Sequence, residues 1–223
     1  MRAITAMVVA GVLLACGSSS SGPNTGTSVA LSGSANITGT LNYATAIVVN
    51  GKSCRTGNVN LAASAGFIAF TTLTDTCQRI QQRQDAANAI ITGVALVRVG
   101  TGSSVPLATG TYTFFDISSG GLPPFDLTTQ SASLVVAGTA VKNGGSAGAG
   151  MGCTTVEEAQ VTGGTVTLSS VDSSTLVGTV NLTLSNGGAI TGNFNAPLCT
   201  TNADITGTCE VTGLPTRGTG SCM

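Results

Sequence analysis

The sequence predicts an all-β protein, either an antiparallel β-sandwich or an open barrel of about 8–10 strands, with one short helix and disulfide links. Two observations support this fold class. Gly, Ser, Thr, Asn and Val dominate the composition, as is typical of strands and tight turns. Long stretches also alternate between apolar and small polar residues, the pattern of strands with one buried face.

The clearest strand pattern lies within residues 163–197. Apolar side chains alternate with Thr, Asn and Ser in three successive stretches, and the stretches are separated by polar or glycine-rich residues at 172–175 and 186–188. Such residues allow the chain to reverse between antiparallel strands. We therefore predict a three-stranded meander with one face in contact with water.

Weaker strand patterns fill much of the remaining domain, at residues 37–43, 47–49, 67–70, 90–99, 110–114 and 132–140. Residues 50–51 are Asn-Gly, which predicts a turn. The stretch 90–99 is apolar on both parities except at Arg98, which predicts a strand covered on both faces. The Gly-, Ala- and Ser-rich residues 143–152 predict a flexible loop.

One stretch departs from the strand pattern. Asp75 can cap a first helical turn, Gln78 follows three residues later, and Cys77 and Ile80 fall on one side. We predict a short helix at about residues 76–87, attached to the sheet through Cys77. The alternative is a polar loop.

The N-terminus has the pattern of a bacterial export signal. Arg2 precedes an apolar run that ends at Ala15 and is too short to span a bilayer. The sequence Leu-Leu-Ala-Cys-Gly at 13–17 resembles the lipobox of bacterial lipoproteins. This resemblance implies that residues 1–15 are a cleaved signal peptide and that Cys16 carries diacylglycerol and a further fatty acyl chain such as palmitate. The alternative is an ordinary secretory signal with Cys16 near the cleavage site by chance.

The predicted domain organisation follows from this start. Residues 16–28 form a lipidated, flexible tether of Ser, Gly, Thr and Asn, a composition that cannot bury enough apolar surface to order itself. Residues 29–223 form a single β-rich domain with a disulfide-linked C-terminal tail. In lipoproteins of two-membrane bacteria, an acidic residue after the lipidated cysteine commonly signals retention in the inner membrane. Gly17 therefore favours the outer membrane.

Seven cysteines become six once Cys16 is lipidated, and six in an exported protein predict three disulfides. Fifteen pairings are possible. Proximity in sequence favours three of them, namely Cys209–Cys222, Cys54–Cys77 and Cys153–Cys199. The six are scattered without a C-x-x-C pair, so we expect neither a metal nor a cofactor.

The composition excludes several functional classes. The chain contains no histidine, which rules out histidine-based catalytic triads and histidine-bound metals. Eight basic residues against nine acidic ones leave no positive field for nucleic acid. The adjacent Glu157 and Glu158 should point to opposite faces of a strand, so they form no catalytic pair. We therefore predict a protein without enzymatic activity.

The candidate ligand site is the loop at residues 118–125 and its flanks. Four residues there combine aromatic and acidic groups, which are common in binding loops on rigid sheets; these are Phe114, Asp116, Phe125 and Asp126. The alternative is that Asp116 and Asp126 are solvated loop carboxylates.

Four short motifs then suggest a family. They are Thr-Asp-Thr-Cys at 74–77, Gly-Thr-Tyr at 110–112, Gly-Thr-Val-Thr-Leu at 164–168 and Gly-Asn-Phe-Asn-Ala-Pro-Leu-Cys at 192–199. Together they resemble uncharacterised β-rich lipoproteins of myxobacteria and related bacteria, over roughly residues 37–199. The resemblance implies an envelope location and a β-rich fold, and it assigns no catalytic residue.

Three functions are compatible with these predictions. The first is a membrane-anchored, non-enzymatic envelope protein that binds another protein, a glycan or itself. The second is a hydrolase of polysaccharide that uses two carboxylates about 5–10 Å apart. The third is a carrier of a lipid or other apolar ligand, which requires a barrel interior that side chains do not fill.

Overall fold

A computed structural model describes residues 26–56, 59–82, 84–101, 104–116, 131–147, 152–205, 211–212 and 222. In chain order, the elements are β1 Ser28–Ser32, β2 Gly39–Leu41, β3 Tyr43–Thr56, β4 Val59–Thr71, α1 Thr76–Gln82, β5 Ile90–Gly100, β6 Gly110–Phe114, β7 Ser131–Ser146, β8 Cys153–Val171, β9 Thr175–Leu184, β10 Ala189–Pro197, β11 Asp204–Ile205 and β12 Val211–Thr212. The all-β prediction with one short helix is confirmed. In the described part of the chain, no helix is long and apolar enough to cross a membrane.

Ten strands form one continuous sheet in the order β2-β1-β10-β9-β8-β6-β7-β5-β4-β3, and β11 and β12 form a separate pair. Neighbouring strands are antiparallel except β6 and β7, which pair in parallel at two positions. The predicted meander of β8, β9 and β10 is confirmed, with both antiparallel pairings in place. The number of strands in the sheet also agrees with the prediction.

The sheet curls until β10, the third strand from one edge, approaches β3 at the other edge. Just after β10, Leu198 forms a bridge with Ala46 on the edge strand β3, and the Cys199 amide donates to the Ala46 carbonyl at 2.6 Å. Glycine permits the tight curvature at Gly192, where φ is +148° and a Cβ atom would lie 2.1 Å from the Ser28 carbonyl oxygen. Of the two predicted architectures, the open barrel is the one that agrees with this hydrogen bonding.

The inside of the curled sheet holds one hydrophobic cluster with side chains from strands at both ends of the sheet. Tyr112, Phe70 and Phe194 are its largest fully buried side chains. The rings of Phe70 on β4 and Phe194 on β10 meet edge to face with centroids 5.4 Å apart, a geometry worth about 0.5–1.5 kcal/mol beyond burial. This contact joins the two halves of the sheet across the core.

Two sequence predictions about loops are wrong. Residues 50–51 form a bulge inside β3, where the register with β4 shifts between Val49 and Lys52. The backbone of Val105 lies so close that a Cβ on Gly51 would be 2.9 Å from its carbonyl oxygen, so glycine serves close packing here instead of a turn. The predicted loop at 143–152 begins later, because β7 continues to Ser146 and its Asn143 is buried.

The predicted helix exists but is shorter than 76–87. It ends at Gln82, and Asp85 forms a bridge with Cys222. Asn88 takes a positive φ of 58°, which no helix continues through. Asn143 of β7 donates to the Ala86 carbonyl at 3.0 Å, so a contact with the sheet replaces the last predicted turn of helix.

The structure corrects all three predicted disulfide pairings. Cys77 joins Cys199 and Cys153 joins Cys222, so none of the pairings between sequence neighbours forms. The curled sheet brings the start of α1 beside the end of β10, although 122 residues separate these cysteines. The prediction that Cys77 attaches the helix to the sheet is confirmed. Cys209 lies outside the described residues.

A second, smaller apolar cluster covers part of the outer surface. Ile205 of β11 packs with Val49, Ala63 and Ala65, and the partly buried Val99 of β5 lies against the group. β5 is thus covered on its outer side near its C-terminal end. The sequence predicts this cover, because apolar residues occupy both alternating sets of positions in this strand. The C-terminal segment at Ile205 therefore packs over strands β3, β4 and β5.

Candidate functional site

The structure describes two of the four predicted ligand-site residues. Phe114 ends β6 and is partly buried against the main hydrophobic cluster, so its ring contributes to packing. Asp116 follows in an exposed position. Phe125 and Asp126 lie outside the described residues, as does the predicted lipidation site Cys16. The binding role of the 118–125 loop thus stays a prediction.

Asp116 and Glu157 lie at separate places along β7. Phe114, two residues before Asp116, pairs with Val135 of β7, whereas Glu157 pairs with Lys142 of the same strand. The seven steps from Val135 to Lys142 span roughly 23 Å of strand, and Asp116 is at most two steps closer to Lys142 because β6 and β7 run parallel, which leaves roughly 16 Å. A carboxylate pair for glycoside hydrolysis needs a separation of about 5–10 Å. Asp116 and Glu157 do not meet this requirement.

Glu157 lies where three parts of the chain meet. Its carboxylate accepts hydrogen bonds from Asn36 Nδ2 at 3.2 Å and from Asn186 Nδ2 at 3.5 Å. The side chain of Ser34 makes the strongest contribution in lowering the Glu157 pKa, ahead of those from Asn36 and Asn186. Glu158 faces the other way and accepts a hydrogen bond from Gln160 at 2.6 Å. The predicted opposite orientation of the two glutamates is confirmed, and Glu157 links two loops to β8.

Two further carboxylates have structural partners. Asp172 binds the amides of Ser174 and Thr175 at 2.8 and 2.7 Å and both of their hydroxyl groups. These contacts, led by the Ser174 amide, lower its pKa to about 2. Asp204 forms a salt bridge with Lys52 at 2.7 Å, and this hydrogen bond lowers the pKa of Asp204. Both carboxylates fix turns or strand contacts.

Tyr112 and Arg98 hold the segment between β5 and β6 in place. The Tyr112 hydroxyl donates to the Ala108 carbonyl at 2.9 Å and accepts from the Ala108 amide at 3.1 Å. Burial raises the pKa of this phenol above its ordinary value. Arg98 donates to the Pro106 carbonyl at 2.9 Å, and the neighbouring Leu107 packs into the main cluster. The Tyr112 ring and Leu107 thus occupy the interior beneath this segment.

An uncharged surface lies on the outer face of six adjacent strands. β1, β2, β6, β9 and β10 contain no charged residue, and neither does β8 from residue 161 to 171. Cross-strand pairing aligns their outward side chains in two rows. The first row is Ser28, Asn193, Thr179, Thr167 and Thr111. The second row is Thr40, Ala30, Thr191, Asn181, Thr165 and Thr113. We call these two rows the polar face.

Most polar groups of this face make no hydrogen bond to another side chain or backbone group in the described chain. Thr111 and Thr167 pair with each other at 3.2 Å. The hydroxyl or amide groups of the eight other polar residues have no such partner among the described residues; these are Ser28, Thr40, Thr113, Thr165, Thr179, Asn181, Thr191 and Asn193. Their donors and acceptors are directed to solvent. The sequence shows the alternation of Thr and Asn with apolar residues. It does not show the strand register that places these side chains in rows.

Comparison of the chain with protein-family models, with curated proteins and with solved structures finds no match in any of the three.

Proposed function

We propose that this protein is a lipoprotein of the bacterial cell envelope, anchored through Cys16 to the outer membrane, and that it serves as a non-enzymatic binding or structural module. The observation that carries this proposal is the pair of disulfides, Cys77–Cys199 and Cys153–Cys222. Structural disulfides persist in oxidising compartments, which the chain reaches after export. The lipobox-like residues at 13–17 supply the route and the anchor.

Two features support binding or structure over catalysis. The carboxylates Glu157, Asp172 and Asp204 are engaged in contacts that fix loops and turns, and the sequence contains no histidine. The continuous packing of the main cluster also favours a filled interior over a carrier for an apolar ligand. The uncharged polar face then offers a surface for a partner.

The anchor is tested by fractionation of cells that produce the full chain. Cys16→Ser removes the thiol that would be acylated, so we expect the variant to leave the membrane fraction and to lose labelling by an alkyne-tagged palmitate analogue. The matched variant Gly17→Asp keeps the thiol, and we expect it to stay acylated but to move to the inner-membrane fraction. Membrane retention of the unlabelled Cys16→Ser chain would refute the anchor.

A further inference from the structure

An asparagine followed by glycine deamidates without an enzyme, because glycine has no side chain to shield its backbone nitrogen as this nitrogen attacks the asparagine amide. The sequence contains three Asn-Gly pairs, at 50–51, 143–144 and 186–187. We propose that the fold selects Asn186 for this modification, and that the modification releases the loop at residues 33–37 from the turn between β9 and β10. The reaction requires neither the anchor at Cys16 nor a bound partner.

Open space distinguishes the pair at 186–187 from the other two pairs. Asn186 and Gly187 are exposed in the β9–β10 turn, and a Cβ atom on Gly187 would meet nothing within 4 Å. Asn143 is only 1% exposed, and its side-chain amide donates to a backbone carbonyl at 3.0 Å. Asn50 is exposed, but a Cβ atom on the next residue would come 2.9 Å from the Val105 carbonyl oxygen. The peptide group of the turn therefore has the most room to form a succinimide ring.

A hydrogen bond to the side chain of Asn186 favours the reaction. Asn186 Oδ1 accepts from the Gly188 amide at 3.0 Å. Negative charge develops on this oxygen when the Gly187 nitrogen attacks Cγ, so the donor stabilises the tetrahedral intermediate. The bond from the Gly187 nitrogen to Cγ forms, the Cγ–Nδ2 bond breaks, and the proton of the attacking nitrogen leaves with ammonia. Water then opens the succinimide to aspartate or isoaspartate.

A second hydrogen bond opposes the reaction. The Gly187 amide donates to the Leu184 carbonyl at 3.0 Å, and this bond must break before the nitrogen can attack. Exposed turns open locally at a small cost in free energy, whereas residues held inside a sheet do not. We therefore expect deamidation at Asn186 to be slower than in an unfolded peptide, but faster than at the two pairs inside β3 and β7.

The product would disturb a contact that joins two loops to β8. Asn186 Nδ2 donates to Glu157 at 3.5 Å, and Asn36 Nδ2 donates to the other oxygen of the same carboxylate at 3.2 Å. Gly33 lies against the Asn186 amide, since a Cβ atom there would come 2.9 Å from Nδ2. Deamidation replaces this donor by a second carboxylate, and two like charges at this distance repel each other. The loop at 33–37 then loses its link through Glu157 to the turn.

Ageing of the full-length lipoprotein in neutral detergent tests the site. The protein is incubated at neutral and mildly alkaline pH, and peptide mapping follows the gain of about 1 Da when a carboxylate replaces an amide. We expect the peptide with Asn186 to gain this mass at least about tenfold faster than those with Asn50 and Asn143. Reduced protein unfolded in urea is the control, in which the three pairs should react at similar rates. Deamidation of the folded protein that is equally fast or faster at either other pair, or absent at Asn186, overturns the inference.

The release of the loop is measured on Asn186→Asp, which carries the aspartate product from the start. We expect hydrogen exchange at the Ile37 amide, which donates to the Ser34 carbonyl at 3.2 Å, to accelerate several-fold in this variant. The matched control Asn50→Asp adds the same charge at an exposed position of β3, and circular dichroism verifies the folding of both variants. It should leave exchange at Ile37 unchanged. Unchanged exchange in Asn186→Asp, or equal acceleration in both variants, refutes the release of the loop.

Discussion

The two halves of the sheet achieve stability by different means. Strands β1, β2, β6, β9 and β10 contain no charged residue, and the structure places neither of its two described disulfides on them. The half formed by β3, β4, β5 and β7 is covered outside by Ile205 and by the segment at Ala86, which binds Asn143. Side-chain contacts thus cover part of one half, whereas Thr179, Asn181 and Thr191 on the outer face of the other are exposed in the described chain.

This difference bears on function. An outer face that is not needed for packing can carry side chains chosen for another purpose, and the polar face is such a surface. Ile205 of the C-terminal segment packs against the covered half, and the last described residue, Cys222, is joined to Cys153 at the start of β8. We therefore expect damage to the covered half to reduce stability first, and changes on the polar face to alter binding without unfolding the protein.

The largest expected effect is loss of the Cys77–Cys199 disulfide. The double variant Cys77→Ala/Cys199→Ala opens a loop of 122 residues, and the entropy of so long a loop predicts a loss of about 4–5 kcal/mol in the free energy of unfolding. Urea denaturation monitored by circular dichroism measures the change. The comparison variant Cys153→Ala/Cys222→Ala opens a loop of 69 residues and should cost slightly less.

Peptide mapping without reduction checks the same bonds directly. We expect peptides that link residue 77 to 199 and residue 153 to 222, together with no free thiol in the mature protein. If three disulfides form, the third must join Cys54 to Cys209, because the other four sulfurs are already paired. Recovery of a peptide linking Cys54 to Cys77 would contradict the curled arrangement of the sheet.

The next effect addresses the contact that joins the two halves. Phe194→Ala removes a fully buried ring that meets Phe70, and we expect the free energy of unfolding to fall by about 3–5 kcal/mol. Phe194→Leu keeps most of the apolar volume and should cost less than half as much. Urea titrations of both variants measure the difference. Equal stability of the two would mean that the ring does not fill the core.

The sequence predicted those features that depend on local patterns. Alternation between Leu176 and Leu184 located β9, and the polar residues around Asp172 located its preceding turn. The pairing of Cys77 with Cys199 could not be read locally, because it depends on the curvature of ten strands. The Asn-Gly pair at 50–51 gave a wrong prediction of a turn for a related reason. Its glycine leaves room for the backbone of Val105 and does not reverse the chain.

The candidate site was harder to predict than the fold. The alternation identified which side chains of β8, β9 and β10 face solvent, but a row needs the register between strands. Register follows from bulges, such as the one between Val161 and Gly163, and a single slipped residue would exchange the two faces. Sequence reasoning therefore favoured Phe114 for binding, although the structure packs its ring against the core.

A smaller effect concerns the segment held between β5 and β6. Tyr112→Phe removes the hydroxyl that bonds both backbone groups of Ala108, and we expect a loss of about 1–3 kcal/mol because these groups are left unpaired. Hydrogen exchange at the Ala108 amide should also accelerate in this variant. Unchanged exchange at this amide, at the same global stability, would contradict the role of Tyr112 in holding the segment.

The smallest expected effect is an acid-dependent change in the β8–β9 turn. The Asp172 pKa is about 2 in the folded protein, against an ordinary value of 3.8. A depressed folded pKa means that the carboxylate stabilises the protein fully above about pH 4 and loses this effect as the pH falls towards 2. Asp172→Asn should therefore lower the melting temperature slightly at pH 7 and make its decline between pH 4.5 and 2 shallower.

Thermal melts followed by circular dichroism at several pH values measure this difference. Ser174→Ala is the matched control, because it removes one hydroxyl donor to Asp172 but keeps the carboxylate and the two amides that bind it. This variant should retain a steep acid decline close to that of the unchanged protein. Parallel pH profiles for Asp172→Asn and the unchanged protein would show that the turn is stabilised by backbone pairing alone. The stability of the uncharged half would then not depend on the Asp172 carboxylate at its border.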